Sequence, residues 1–112
     1  KLPLFAALHR RFVGRTDWNF TVKLGFSNPS PQDDPEHEHL WFEVHSLDGE
    51  TVDATLLNDP HFVATMREGD RARYPIDRLT DWTIYSPHGT FTPDLVYHLL
   101  RIVDQGEPAS ER

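Results

Sequence analysis

Cysteine is absent from the chain. Its absence excludes disulfides, thiolate nucleophiles and every zinc site that needs a thiolate. No apolar run approaches the ~20 residues that a membrane-spanning helix needs. The glycines stand singly, at 14, 25, 49, 69, 89 and 106, and never cluster as a phosphate-cradling loop requires. The serines lack the strand–turn–helix setting of a nucleophile elbow. Positive charge is missing from the whole middle of the chain, where residues 24–66 hold nine acidic side chains and no Lys or Arg. Such a run repels phosphate and argues against nucleic-acid binding over that surface. Residues 1–7 have too short an apolar run for a secretory signal, and no cleavage motif follows. These absences lead to the expectation of a cytoplasmic chain with no membrane, nucleic-acid or cofactor partner.

What is present suits one packed domain. The 112 residues are 38% hydrophobic, enough for a single core. The formal net charge of −7 is unevenly spread, because the first 23 residues carry five basic side chains against one acidic one. Pairing between the basic ends and the acidic middle is the simplest use of that asymmetry. Arginine patches from Arg10, Arg11 and Arg15, or from Arg67, Arg71 and Arg73, are the alternative.

Hydrophobic periodicity divides the chain into elements. In LPLFAALHRRFV, Leu4, Leu8 and Phe12 recur on one helical face with Phe5 beside them, which predicts a helix over 1–14. Residues 19–26 alternate, with Phe20, Val22, Leu24 and Phe26 on one side, as in a strand with one buried face. The proline-rich SNPSPQDDPEHE that follows predicts a surface loop. In HLWFEVHS, Leu40, Phe42 and Val44 share one face, and His39, Trp41, Glu43 and His45 share the other. Asp48–Gly49 then predicts a hairpin turn into ETVDATLL. Asp59 and Pro60 can cap and open a short helix over HFVATM. A turn at Glu68–Asp70 and a short strand RARYPI come next, and WTIYS reads as strand or irregular chain. Thr92, Pro93 and Asp94 mark a helix start. Leu95, Val96, Leu99, Leu100 and Val103 form its stripe, predicting a helix over 92–105 and a tail over 107–112. No βαβ periodicity is present. The fold class expected is α+β: helix 1–14, a mainly β stretch over 19–85 and helix 92–105. The sheet is expected to be small and antiparallel, or a partly open barrel, flanked by the N-terminal and C-terminal helices.

Four blocks in this order are recognisable: EHLWFEV (Glu38–Val44), DGE from Asp48, LLNDP (Leu56–Pro60) and GDRARYPIDRLTDW (Gly69–Trp82). With FTVKLGF before them, they resemble the YegJ-like bacterial family of domain of unknown function 2314, over about residues 20–85. The resemblance implies a compact α+β domain and a bacterial source. It carries no activity onto particular residues.

Candidate chemistry lies in the middle of the chain. DDPEHEHLWFEVH places His37 and His39 where, with Asp53 from the partner strand, they could hold a borderline metal such as zinc. Three ligands from one strand could not converge, since neighbours on a face are ~6.6–7 Å apart. The simpler reading of these residues is a solvated face around Trp41. Trp41 itself is either covered by the N-terminal helix or exposed as a binding surface. Trp82 reads as a plug at the sheet end, with Asp81 accepting backbone N–H bonds in a turn. Asn58 and Asp59 read as turn and cap residues; near Asp81, they would instead line a polar site. The function expected is a non-catalytic interaction or regulatory module, binding through Trp41, Trp82, Asn58, Asp59 and Asp81. Its partner would be another protein or a neighbouring domain, and the chain itself a monomer or weak homodimer. The alternative is a small zinc-type hydrolase using His37, His39 and Asp53.

Overall fold

The apolar stripe of helix α1 (Leu2–Phe12) turns inward, burying Phe5, Leu8, His9 and Phe12. The computed structural model describes residues 2–27, 37–60 and 66–106. Of the loop expected over 27–38, Ser27 ends the first strand and His37 and Glu38 open the second; its residues 28–36, residues 61–65 of the helical turn expected over 61–66, and the tail 107–112 lie outside the described residues. After α1 come strands β1 (Asn19–Ser27), β2 (His37–Leu47), β3 (Thr51–Leu56), β4 (Arg71–Pro75), β5 (Leu79–Ser86) and β6 (Gly89–Phe91). A 3-10 turn at Pro93–Leu95 leads into helix α2 (Val96–Gly106). The strands form one antiparallel sheet in the order β4-β3-β2-β1-β5-β6. Strands β4 and β6 are its edges, so it is open and not a barrel.

Period-two alternation sorts the two faces. Phe20, Val22, Leu24 and Phe26 of β1 join Leu40, Phe42 and Val44 of β2 on the buried side. Val52, Ala54 and Leu56 of β3, Trp82 and Ile84 of β5 and Phe91 of β6 extend the same layer. Val96, Leu99 and Val103 of α2 close over it, spaced as one helical stripe. Phe5 of α1 meets Trp82 and Phe20 at ring-centroid distances of 5.0 and 5.6 Å. Both helices therefore cover the same face, and Arg11 and Asp104 link them at 3.9 Å.

Several elements differ from expectation. Trp82 is a core residue within β5, not a plug, and Asp81 Oδ1 accepts the Trp82 N–H inside a strand at 2.8 Å. WTIYS is regular strand because it pairs with β1 from Asn19 to Val22. The hairpin to β6 turns at Gly89, whose φ of +122° favours glycine. Trp18 is buried flat against Phe12, with centroids 4.0 Å apart. Thr92 precedes the helical turn without a side-chain cap bond, and only its carbonyl accepts, from Leu95 N–H at 2.9 Å.

His9 is the one charged-capable side chain of α1 inside the core, 4% exposed and edge-on to Phe20 at 5.0 Å. Its Nε2 has no hydrogen-bond partner among the described residues. Burial, the largest influence, holds the imidazole below its usual pKa; a backbone hydrogen bond with Val44 opposes this, and the Arg10 and His45 charges reinforce it. The unfolded chain thus takes a proton more readily than the folded one. The stability at stake is complete above an unfolded pKa of about 6.5, falls as the pH drops below that value, and levels off beneath the folded pKa. Melting measured from pH 7.5 to 4.5 should therefore decline more steeply in the wild type than in His9→Leu. Parallel curves would rule His9 out as the source. Leu99, fully buried, should cost about 2–4 kcal/mol when cut to Ala. A loss in urea unfolding below about 0.5 kcal/mol would mean that α2 is not docked.

Candidate functional site

The same alternation that fills the core leaves a second face, over which no helix lies among the described residues. Its rows follow from the register. Thr55, Glu43, Thr21 and Thr83 run across β3, β2, β1 and β5. The next row carries Trp41, Lys23 and Asp81. Leu57 flanks it, donating its N–H to the Trp41 carbonyl at 2.9 Å. Asn19 stands opposite Tyr85 on the other side.

Trp41 is half-buried on this face, not covered by α1, which is on the opposite face. The Lys23 ammonium sits 5.6 Å from the Trp41 ring centroid, close enough for a cation–π interaction. Asn58 Oδ1 accepts the Trp41 N–H at 2.6 Å, taking over where β3 stops pairing. Asp59 is exposed. Asp81 faces Lys23 across the strands and is half-buried. Asn58 follows the end of β3, and β2 and β1 separate that strand from Asp81 in β5, about 14 Å at the usual strand spacing. The structure does not bring them together as an acid–base pair.

The metal set is equally dispersed. His39 lies opposite Gly25, with its ring so close that a Cβ on Gly25 would meet Cε1 at 3.2 Å. Asp53 lies opposite Ser46, near the other end of β2 and roughly 20 Å away along the strand. Arg71 holds Asp53 through two bonds, Nε to Oδ1 at 3.0 Å and Nη2 to Oδ2 at 2.9 Å. That hydrogen-bonded guanidinium keeps the Asp53 carboxyl below the usual carboxylate range. His37 opens β2 opposite Ser27, and its side chain lies outside the described residues. Among the described residues no three His, Asp or Glu side chains gather as a metal site.

Among the described residues, two depressions bear on these faces. One, of about 350 Å³, lies between α1 and the β2–β3 hairpin and is lined by Leu2, Pro3, Ala6, Arg10, Leu47 and Ile76, with Asp48 and Gly49. The Asp48 carboxylate is engaged there by the Glu50 and Thr51 N–H groups at 2.7 and 2.8 Å. The other, of about 240 Å³, is on the uncovered sheet face and is lined by Asn19, Thr21, Glu43, Leu57 and Tyr85. Sequence reading singled out neither Leu57 nor Tyr85. Their parity with Thr55 and Thr83 was the available signal, but it needed the strand register to be used.

A family model described as "Uncharacterized protein conserved in bacteria (DUF2314)" matches residues 5–102. The chain belongs to the DUF2314 family. The match takes in most of α1 and most of α2, a wider span than the four central blocks. No curated protein and no solved structure matched this DUF2314 chain.

The Asn58 bond generates a test. Asn58→Ala leaves the half-buried Trp41 N–H without its acceptor, and should destabilise the domain by about 1–2 kcal/mol. Hydrogen exchange at the Trp41 amide should accelerate beyond the global change. Unchanged protection there would remove Asn58 as its partner.

Proposed function

We propose that this DUF2314 chain is a non-catalytic interaction module and that the uncovered face of its sheet meets the partner. The observation behind this reading is the composition of that face. It holds Trp41 half-buried, and Tyr85 and Leu57 46% and 43% exposed, on one side of one sheet. Exposed aromatic and aliphatic side chains beside charged ones are the usual anchors of protein contact. The partner is another protein or a neighbouring domain, the setting is the bacterial cytoplasm, and the reading needs no cofactor. The zinc-hydrolase alternative has weaker support, since His39 lies near the start of β2 whereas Asp53 of β3 pairs with Ser46 near its end.

Capture from lysate of the source bacterium tests this. The bait pair is the double variant Trp41→Thr with Tyr85→Thr, and Tyr97→Ala on the exposed surface of α2. With wild-type melting in both, the sheet variant should lose a specifically captured protein at least tenfold, and Tyr97→Ala should keep it. Equal capture by both variants would overturn the reading. So would zinc-dependent turnover of an ester or phosphoester that is lost in His39→Ala.

A further inference from the structure

We infer that the hollow over Asn19, Thr21, Glu43, Leu57 and Tyr85 receives the arginine or lysine side chain of a partner protein; this rests on the uncovered sheet face being the interaction surface. The hollow is about 240 Å³, below the range of drug-sized ligand sites and on the scale of one long side chain. Its chemistry is one-sided. Glu43 is half-buried and forms no hydrogen bond or ion pair among the described residues. Its cross-strand neighbours are Thr21 and Thr55, neither of which can neutralise it. The basic groups nearest in the sheet are engaged elsewhere: Lys23 lies over Trp41, Arg71 is bound to Asp53, and the His45 ring is hydrogen-bonded to the Thr55 hydroxyl at 2.7 Å.

The remaining lining also suits a cation with several N–H groups. The Thr21 hydroxyl donates to the Thr83 carbonyl at 3.2 Å, which leaves its lone pairs as acceptors toward the hollow. The Asn19 amide supplies a further oxygen. Tyr85 offers a ring for stacking or cation–π contact, and Leu57 an apolar wall for the methylene stem. A guanidinium uses all of these at once, with a bidentate bond to the carboxylate. An anionic ligand would meet the Glu43 charge with no compensating cation. The net charge of −7 on the chain adds a long-range attraction for a basic partner.

An amide NMR titration of the whole chain decides the matter. The probe is acetyl-Ala-Arg-Ala-amide, with acetyl-Ala-Gln-Ala-amide as the uncharged control. The arginine peptide should give saturable shifts centred on Thr21, Glu43, Leu57 and Tyr85, and the glutamine peptide should bind at least tenfold more weakly. Glu43→Gln should weaken the arginine peptide by a similar factor without disturbing the rest of the spectrum. Should that variant fold poorly, the wild-type titration at 50 and 500 mM salt replaces it, with clear weakening expected. Absence of saturable shifts at the hollow, equal binding of both peptides, or salt-independent binding would overturn the inference. If it falls while Trp41→Thr with Tyr85→Thr still abolishes partner capture, the sheet face remains the interaction surface and only the cation slot is lost.

Discussion

The two helices supply one apolar layer, and a sheet has two faces; everything else in this structure depends on that mismatch. The stripe of α1 and the stripe of α2 are both needed to close over Phe20, Val22, Phe42, Val52 and Ile84. Neither helix is then left for the opposite face. That face carries polar side chains instead: Thr21, Thr55 and Thr83 alternate with the core residues along their strands, Thr21 and Thr83 themselves buried among their neighbours. A single-residue slip of register would exchange the two sets and expose the whole core.

That constraint also explains what could be read in advance. Strands β1 and β2 were legible because alternation is strict in FTVKLGF and HLWFEV, and α2 was legible from the spacing of Val96, Leu99 and Val103. Parity does not reveal which face a helix will take, so the strand pattern alone leaves Trp41 either covered by α1 or exposed. The apolar stripe of α1 gains most against the apolar face, and Phe5 accordingly packs on Phe20 and Trp82. His9 carries a polar label in a helical stripe, yet its ring fits the core edge-on to Phe20. Its burial was therefore hidden by residue type. Strand β6 was missed because three residues are too few for a pattern. The site was only partly legible: Trp41 and Asn58 were singled out, but their relation is a hydrogen bond across 17 positions that no local pattern encodes.

The uneven charge resolves in the register. Acidic β3 lies beside basic β4, so that Asp53 meets Arg71 and Thr51 accepts from Arg73 at 2.9 Å. As an exposed edge strand, β4 is a template for unwanted strand addition. The Arg71, Arg73 and Pro75 it carries are the residues that blunt such an edge. Arg71 and Arg73 are thereby tied across the ladder to Asp53 and Thr51 of β3. On the other face, Arg11 and Asp104 join the helices across an exposed gap, where the screened attraction adds little stability. The basic start of the chain therefore owes its docking chiefly to Phe5, Leu8 and Phe12.

Once these pairs are assigned, Glu43 is left over, and its position is informative. It lies within β2, third of the six strands, with threonines on both sides. Glutamate is depleted in strands, where a β-branched residue would pack better against such neighbours. It contributes no apolar contact to the core, no cross-strand ion pair and no protection of an edge. A residue that serves neither local propensity nor tertiary packing is a local inconsistency between sequence and fold. Such inconsistencies gather where a protein works rather than where it is held together. Glu43 lies within the hollow that Tyr85 and Leu57 wall, so the side chain least explained by stability coincides with the surface least explained by solubility.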